Sequence, residues 1–125
     1  MTNWGTEQHV VDAFAAWLVS QGWTVHFEVD WQDILAEQHG HRLHVEAKGR
    51  TTSPGLDIDT AYGQLLRRMP TTDNHLDTYA LVIPDELRSI RAATRVAPRI
   101  RQNLRIALYA VSHDGTVCNL EKDDC

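Results

Sequence analysis

Asp33, Glu46 and Lys48 are the residues whose types and spacing could do chemistry. They lie in Asp33–Gln38 and His41–Gly49, two alternating segments separated by His39-Gly40. A glycine second in a two-residue turn suits the primed turns that match strand twist, so the pair reads as a β-hairpin. That turn sets the register: Gln38 faces His41, and Asp33 faces Glu46. Opposed residues of an antiparallel pair share a face. One face then carries Ile34, Ala36, Leu43, Val45 and Ala47, all apolar. The other carries Asp33, Leu35, Glu37, Arg42, His44, Glu46 and Lys48. Glu37 and Arg42 are expected to pair near the turn. Asp33 and Glu46 repel unless a cation lies between them. Mg²⁺ or Mn²⁺ suits such a place, since Mg²⁺ usually takes one or two carboxylates and keeps several waters. With the Lys48 ammonium beside it, the set suits phosphodiester hydrolysis. The ion would polarise the phosphate and acidify a bound water, while the lysine positions the nucleophile or offsets developing charge.

The elements around the hairpin must hold these groups in place. Thr6 can cap a helix whose apolar residues Val10, Val11, Phe14, Trp17 and Leu18 recur at helical spacing up to Gly22. Trp23 to Val29 alternates as a strand. Thr51 to Gly55 is a loop directly after the lysine, suited to a substrate phosphate but too short for a P-loop. A second helix starts at Asp57 or Asp59, carries Ile58, Ala61, Tyr62, Leu65, Leu66 and Met69, and closes before Pro70. Thr78–Ile83 is a strand buried on both faces. Glu86–Leu104 is mostly helical, with Pro98 opening a second segment. Ile106–Val111 is a further buried strand, and Asp114-Gly115 turns into an edge strand at Thr116–Leu120. The order αβββαβαββ describes one α/β domain over residues 1–125, a mixed central sheet flanked by helices. Crossover helices between the later strands favour parallel pairing there.

Glu7 adds a third carboxylate. It projects from the edge of the first helix's buried stripe, either as a favourable first-turn acid or as a group near the cation. At this point the residues take on a family likeness. Asp33-Ile34-Leu35-Ala36, a short hairpin and Val45-Glu46-Ala47-Lys48-Gly49 resemble the PD-(D/E)XK nuclease superfamily, which includes restriction enzymes, Holliday-junction resolvases and exonuclease domains of repair machines. The helix with Glu7 and the helix with Tyr62-Gly63-Gln64-Leu65-Leu66-Arg67-Arg68 look like its flanking motifs, so the resemblance spans residues 6–69. Gln32 stands where the family name has proline, which removes only a stiffening residue. The resemblance implies a restriction-endonuclease-like core, with Asp33, Glu46 and the Ala47 carbonyl binding metal. Lys48 would assist the attacking water, and Glu7 and Gln64 would support metal or substrate. The implied activity is a Mg²⁺- or Mn²⁺-dependent endodeoxyribonuclease in repair, restriction or defence. The alternative is an inactive nuclease-fold module that binds DNA or a protein partner.

The net charge of −5 argues at first against a nucleic-acid partner. Its distribution says otherwise. Residues 1–41 hold six acids and no Lys or Arg, whereas residues 42–108 hold eleven bases against seven acids. A basic middle block is compatible with a localised phosphate-binding surface. Arg50, Arg67, Arg68, Arg91 and Arg95 are the candidate contacts, and Arg88, Arg91, Arg95 and Arg99 would form one stripe if a single helix carried them. A solvated face balancing the acids is the bland reading. His39, His41 and His44 are not expected to converge on one ion, since His39 sits in the turn and His41 faces away from His44. His44 reads first as a structural histidine. Trp4, Trp17, Trp23 and Trp31 read as packing residues. DNA is the expected partner, with RNA left open. Selectivity would come from a homodimer or a larger nuclease assembly. No apolar run approaches the roughly 20 residues of a membrane span, and the opening Met-Thr-Asn-Trp-Gly lacks a signal-peptide pattern, so a cytoplasmic protein is expected. Cys118 and Cys125 suggest neither a disulfide framework nor a zinc site.

Overall fold

The computed structural model describes residues 4–29, 32–70 and 75–122; Trp31 lies outside them. Thr6 Oγ1 accepts the His9 amide at 3.0 Å and starts α1 (Glu7–Ser20), as its position before the apolar stripe foretold. β1 (Thr24–Phe27), β2 (Ile34–Gln38) and β3 (His41–Ala47) then run as an antiparallel meander. α2 (Pro54–Arg67) carries the chain over to β4 (Asp77–Pro84), which lies parallel to β3. α3 (Leu87–Ala93) and α4 (Pro98–Asn103) lead to β5 (Ile106–Val111), parallel to β4, and β6 (Val117–Asn119) returns antiparallel. The six strands form one mixed sheet, and their order in space follows the chain.

The hairpin register is the one expected from its turn. His39 and Gly40 both take positive φ, 52° and 81°, as a primed turn requires, and Gln38 pairs with His41. Ile34, Ala36, Leu43, Val45 and Ala47 consequently lie together under Val10, Val11, Phe14, Ala15 and Leu18 of α1. On the other face, Ile58, Ala61, Tyr62 and Leu65 of α2 and Ala92 and Ala93 of α3 pack on Tyr79, Leu81, Ile83 and Leu108. β4 is fully buried from Ala80 to Ile83, so the apolar run does contribute to both cores.

Four expectations need correction. β1 stops at Phe27, because Glu28 adopts φ 52° and its amide turns to the Asp33 carbonyl. α2 begins at Pro54, ahead of Asp57, since a proline in the first turn forfeits only an amide that has no helical partner. After Glu86 the second segment opens at Pro98 as expected, but α3 already ends at Ala93, where the Thr94 hydroxyl binds the Ile90 carbonyl. Arg88 and Arg91 on α3 are thereby separated from Arg95 in the break and Arg99 on α4, and no single basic stripe forms. Finally, Cys118 is disulfide-bonded, which the spacing of two late cysteines did not suggest. Among the described residues no helix is long and apolar enough to cross a membrane.

Candidate active site at the end of β3

The last residues of β3 gather the groups singled out by their chemistry. Asp33 directly precedes β2, and its Oδ2 accepts the Ala47 amide at 2.8 Å. That bond ties the carboxylate to the end of β3, one residue from Glu46. Glu46 points to the α2 side of the sheet, where it is 4% exposed. Arg68, the C-cap of α2, donates to Glu46 Oε1 from its guanidinium. Lys48 follows the strand, held by its amide to the Val82 carbonyl at 3.0 Å, with its side chain half-buried. Glu7 approaches from the first turn of α1. Gly49 makes this approach feasible: a Cβ there would collide with the backbone of Gly5, Thr6 and Glu7. The helix N-terminus therefore rests directly on the chain that follows Lys48.

The electrostatics show that these groups sense one another. Burial pushes the Glu46 carboxyl above its ordinary value, and Asp33 pushes the same way, while the Arg68 hydrogen bond and the charges of Arg68 and Lys48 pull it back. Glu7 is likewise raised, by partial burial and then by the Asp33 charge, against the opposing pull of Lys48. Three acids thus share one end of a strand with an amine and a guanidinium. Glu7, Asp33, Phe27 and Glu28 also border a cleft of about 330 Å³ on the α1 side. A larger hollow of about 540 Å³ lies at the far end of the hairpin, around His39 and Gly40, and contains none of these groups.

Other candidates fall differently. Gln64 sits one helical turn before Arg68, and its Oε1 is buried without a hydrogen-bond partner among the described residues. Arg68, expected at nucleic acid, is instead committed to Glu46. Arg50 is laid against Trp4, its guanidinium carbon 5.4 Å from the ring centroid and its Nη2 donating to the Trp4 carbonyl at 3.0 Å. Arg67 and Arg91 are exposed on α2 and α3. Arg95 is exposed too, its guanidinium beside Gly55 at the start of α2. Arg42 faces Glu37 in register but forms its ion pair with Asp77, through Nε at 2.9 Å and Nη2 at 3.1 Å.

A polar chain escaped the sequence reading. His44 Nε2 lies 3.0 Å from Asp77 Oδ1, and its Nδ1 lies 2.5 Å from the side-chain oxygen of buried Gln32. The imidazole stacks on Tyr79, with ring centroids 5.1 Å apart. Burial raises the Asp77 carboxyl, but hydrogen bonds from His44 and Arg42, with their charges, outweigh it and hold the group below its ordinary value. Gln32 precedes Asp33, so this chain braces the segment that delivers the candidate metal ligand. The alternation did place Arg42 and His44 on one face. Asp77, however, reaches them only through the parallel β3–β4 register, which a distant crossover sets.

Among the described residues no three of His, Cys, Asp and Glu stand close enough to enclose a divalent ion as they are. Asp33 and Glu46 nevertheless supply the one or two carboxylates that Mg²⁺ usually takes, at the same end of β3. The chemistry fits a hydrated ion bound by few protein ligands.

No family model matches the chain, and no curated protein matches its sequence. Among solved structures, an XisH family protein from Nostoc punctiforme PCC 73102, determined at 1.60 Å, superposes with a TM-score of 0.55. The alignment covers 87% of this chain and 95% of that one, at 17% identity. The likeness is one of fold. It extends over nearly the whole of the XisH family protein, so the shared fold is not confined to one part of the chain.

Proposed function

We propose that this protein is a divalent-metal-dependent endodeoxyribonuclease with a PD-(D/E)XK site on a restriction-endonuclease-like core. The observation that carries the reading is the meeting of Asp33, Glu46, Lys48 and Glu7 at one end of β3, from elements on both faces of the sheet. Asp33 and Glu46 would hold the ion, with the Ala47 carbonyl beside them. A bound Mg²⁺ or Mn²⁺ would supply Lewis-acid polarisation of a phosphate and a water of lowered pKa. Lys48 orients the attacking water or offsets charge on the phosphate, while Glu7 and Gln64 line the approach. Arg67, Arg91 and Arg95 are exposed cations available to flanking phosphates, and such contacts weaken with salt. The site of action is the cytoplasm, with DNA the substrate.

Plasmid cleavage with Mg²⁺ or Mn²⁺ tests the reading. The wild type is expected to nick or linearise the plasmid, and Lys48→Ala and Asp33→Ala to lose at least about 100-fold of that rate, the scale of removing a charge-stabilising group. Cutting that survives both substitutions would assign it to another site or a contaminant. A second reading, a non-cleaving module that binds DNA or protein, draws on the Glu46–Arg68 pair and on the lack of three converging acids among the described residues. Binding of DNA without cleavage under every metal condition would select it.

A further inference from the structure

Glu46 and Arg68 form an ion pair with little access to water: the side chains are 5% and 14% exposed. A carboxylate this buried needs a compensating cation, and a partner removed from it leaves an uncompensated charge. In this structure the compensation comes from the chain itself. The residue it neutralises is the buried member of the pair that would bind the divalent ion. A guanidinium and a doubly charged ion beside the same poorly solvated carboxylate repel each other strongly. Arg68 is the C-cap residue of α2, past the last helical turn, with Pro70 two residues on. One turn back, the buried Gln64 Oε1 is an acceptor with no donor among the described residues.

We infer that Arg68 is an internal counter-cation that competes with the divalent ion for Glu46 and is drawn off by a substrate phosphate. This rests on the metal site proposed above. Before substrate arrives, Arg68 holds Glu46 in position through their ion pair. An anionic phosphate offers the guanidinium a charge-assisted alternative, and the vacated carboxylate then takes the metal. Metal and nucleic acid therefore bind with positive coupling, which must be reciprocal. Arg68 acts on the metal through Glu46 and on the nucleic acid through its phosphate.

Calorimetric Mn²⁺ titration of the whole chain tests this, with and without a duplex carrying non-cleavable phosphorothioate linkages. Wild type should bind Mn²⁺ at least about tenfold more tightly with the duplex than without. Arg68→Gln should bind Mn²⁺ about tenfold more tightly than wild type in the absence of DNA, and should lose most of the DNA enhancement. Arg68→Lys, which retains a cation, should fall between them. A parallel thermal melt covers the chance that Arg68→Gln folds poorly: its Tm should start lower than wild type and rise more on adding Mn²⁺, and Glu46→Gln/Arg68→Gln should show no such rise. Equal or weaker Mn²⁺ binding by Arg68→Gln, with no larger Tm response, overturns the inference and leaves the nuclease reading standing if wild type cuts DNA. Tighter binding by Arg68→Gln in a protein that never cuts DNA would retain the exchange and reject the nuclease. If no variant binds Mn²⁺ even at millimolar concentration, both are rejected.

Discussion

Asp77 is the residue on which the bracing of Asp33 turns, because it accepts from both His44 and Arg42 while almost wholly buried. Its carboxyl is held below its ordinary value. A carboxyl of depressed pKa binds protons less readily in the folded chain than in the unfolded one. Its stabilisation is present above the unfolded value and is lost as pH falls through the folded value. Asp77→Asn should therefore lower stability at neutral pH by on the order of 1–3 kcal/mol, since it strips a charge from a satisfied buried network. The difference from wild type should shrink toward zero below the ordinary aspartate range. Urea melts at pH 7 and pH 3 read this directly, and an undiminished difference at pH 3 would count against the charge as the cause. Residue by residue, alternation and turn length bring Asp33, Glu46 and Lys48 to one end of the hairpin, and the structure keeps the register on which that rests, with Ile34 opposite Val45 and Gln38 opposite His41. Partners drawn from far along the chain were not legible: Asp77 reaches Arg42 only through the parallel β3–β4 register, so alternation alone gives Arg42 to Glu37.

Among the elements, the contact that brings Glu7 to the candidate site is α1 against the chain leaving β3. Gly49 lets the backbone of Thr6 and Glu7 come close enough that no side chain fits between them. Gly49→Ala must push the helix N-terminus outward. It should cost about 1–3 kcal/mol of stability, the scale of an overpacked contact, and reduce Mn²⁺-dependent cleavage beyond what the stability loss explains. A Gly49→Ala protein that is destabilised yet cuts at the wild-type rate would show that Glu7 is not needed where it stands. The hairpin was readable because turn chemistry and apolar alternation agree on one register. The start of α2 was not, because Asp57 is as good a beginning as Pro54 until the packing of Ile58 and Ala61 is known. Pro98 announced the start of α4, but the end of α3 at Ala93, with the Thr94 hydroxyl on the Ile90 carbonyl, was not readable.

The whole molecule is a sheet sandwiched between α1 and the α2–α3 pair, and β4 is its keel. Leu81 lies fully buried beside Glu46 in the parallel register, within the α2-side core. Leu81→Ala should cost about 2–5 kcal/mol, the range for a large-to-small change in a packed core. A denaturant midpoint unchanged from wild type would contradict that packing. The α/β class, the mixed sheet and the parallel later strands all followed from the order of elements. The charge segregation took on a spatial meaning only with the fold: the acidic N-terminal third supplies Glu7 and Asp33 to the site, and the basic middle supplies Lys48 and Arg68.

The His39-Gly40 turn lies at the opposite end of β3 from Glu46 and Lys48, about 20 Å away at strand rise. Both turn residues are exposed, and among the described residues nothing lies within 4 Å of where a Gly40 side chain would begin. The hairpin tip is thus a natural attachment point. A fluorophore, an affinity handle or a fused DNA-reading module grafted there would extend away from the acids, giving an engineer a way to steer or watch the protein without touching the groups that define it.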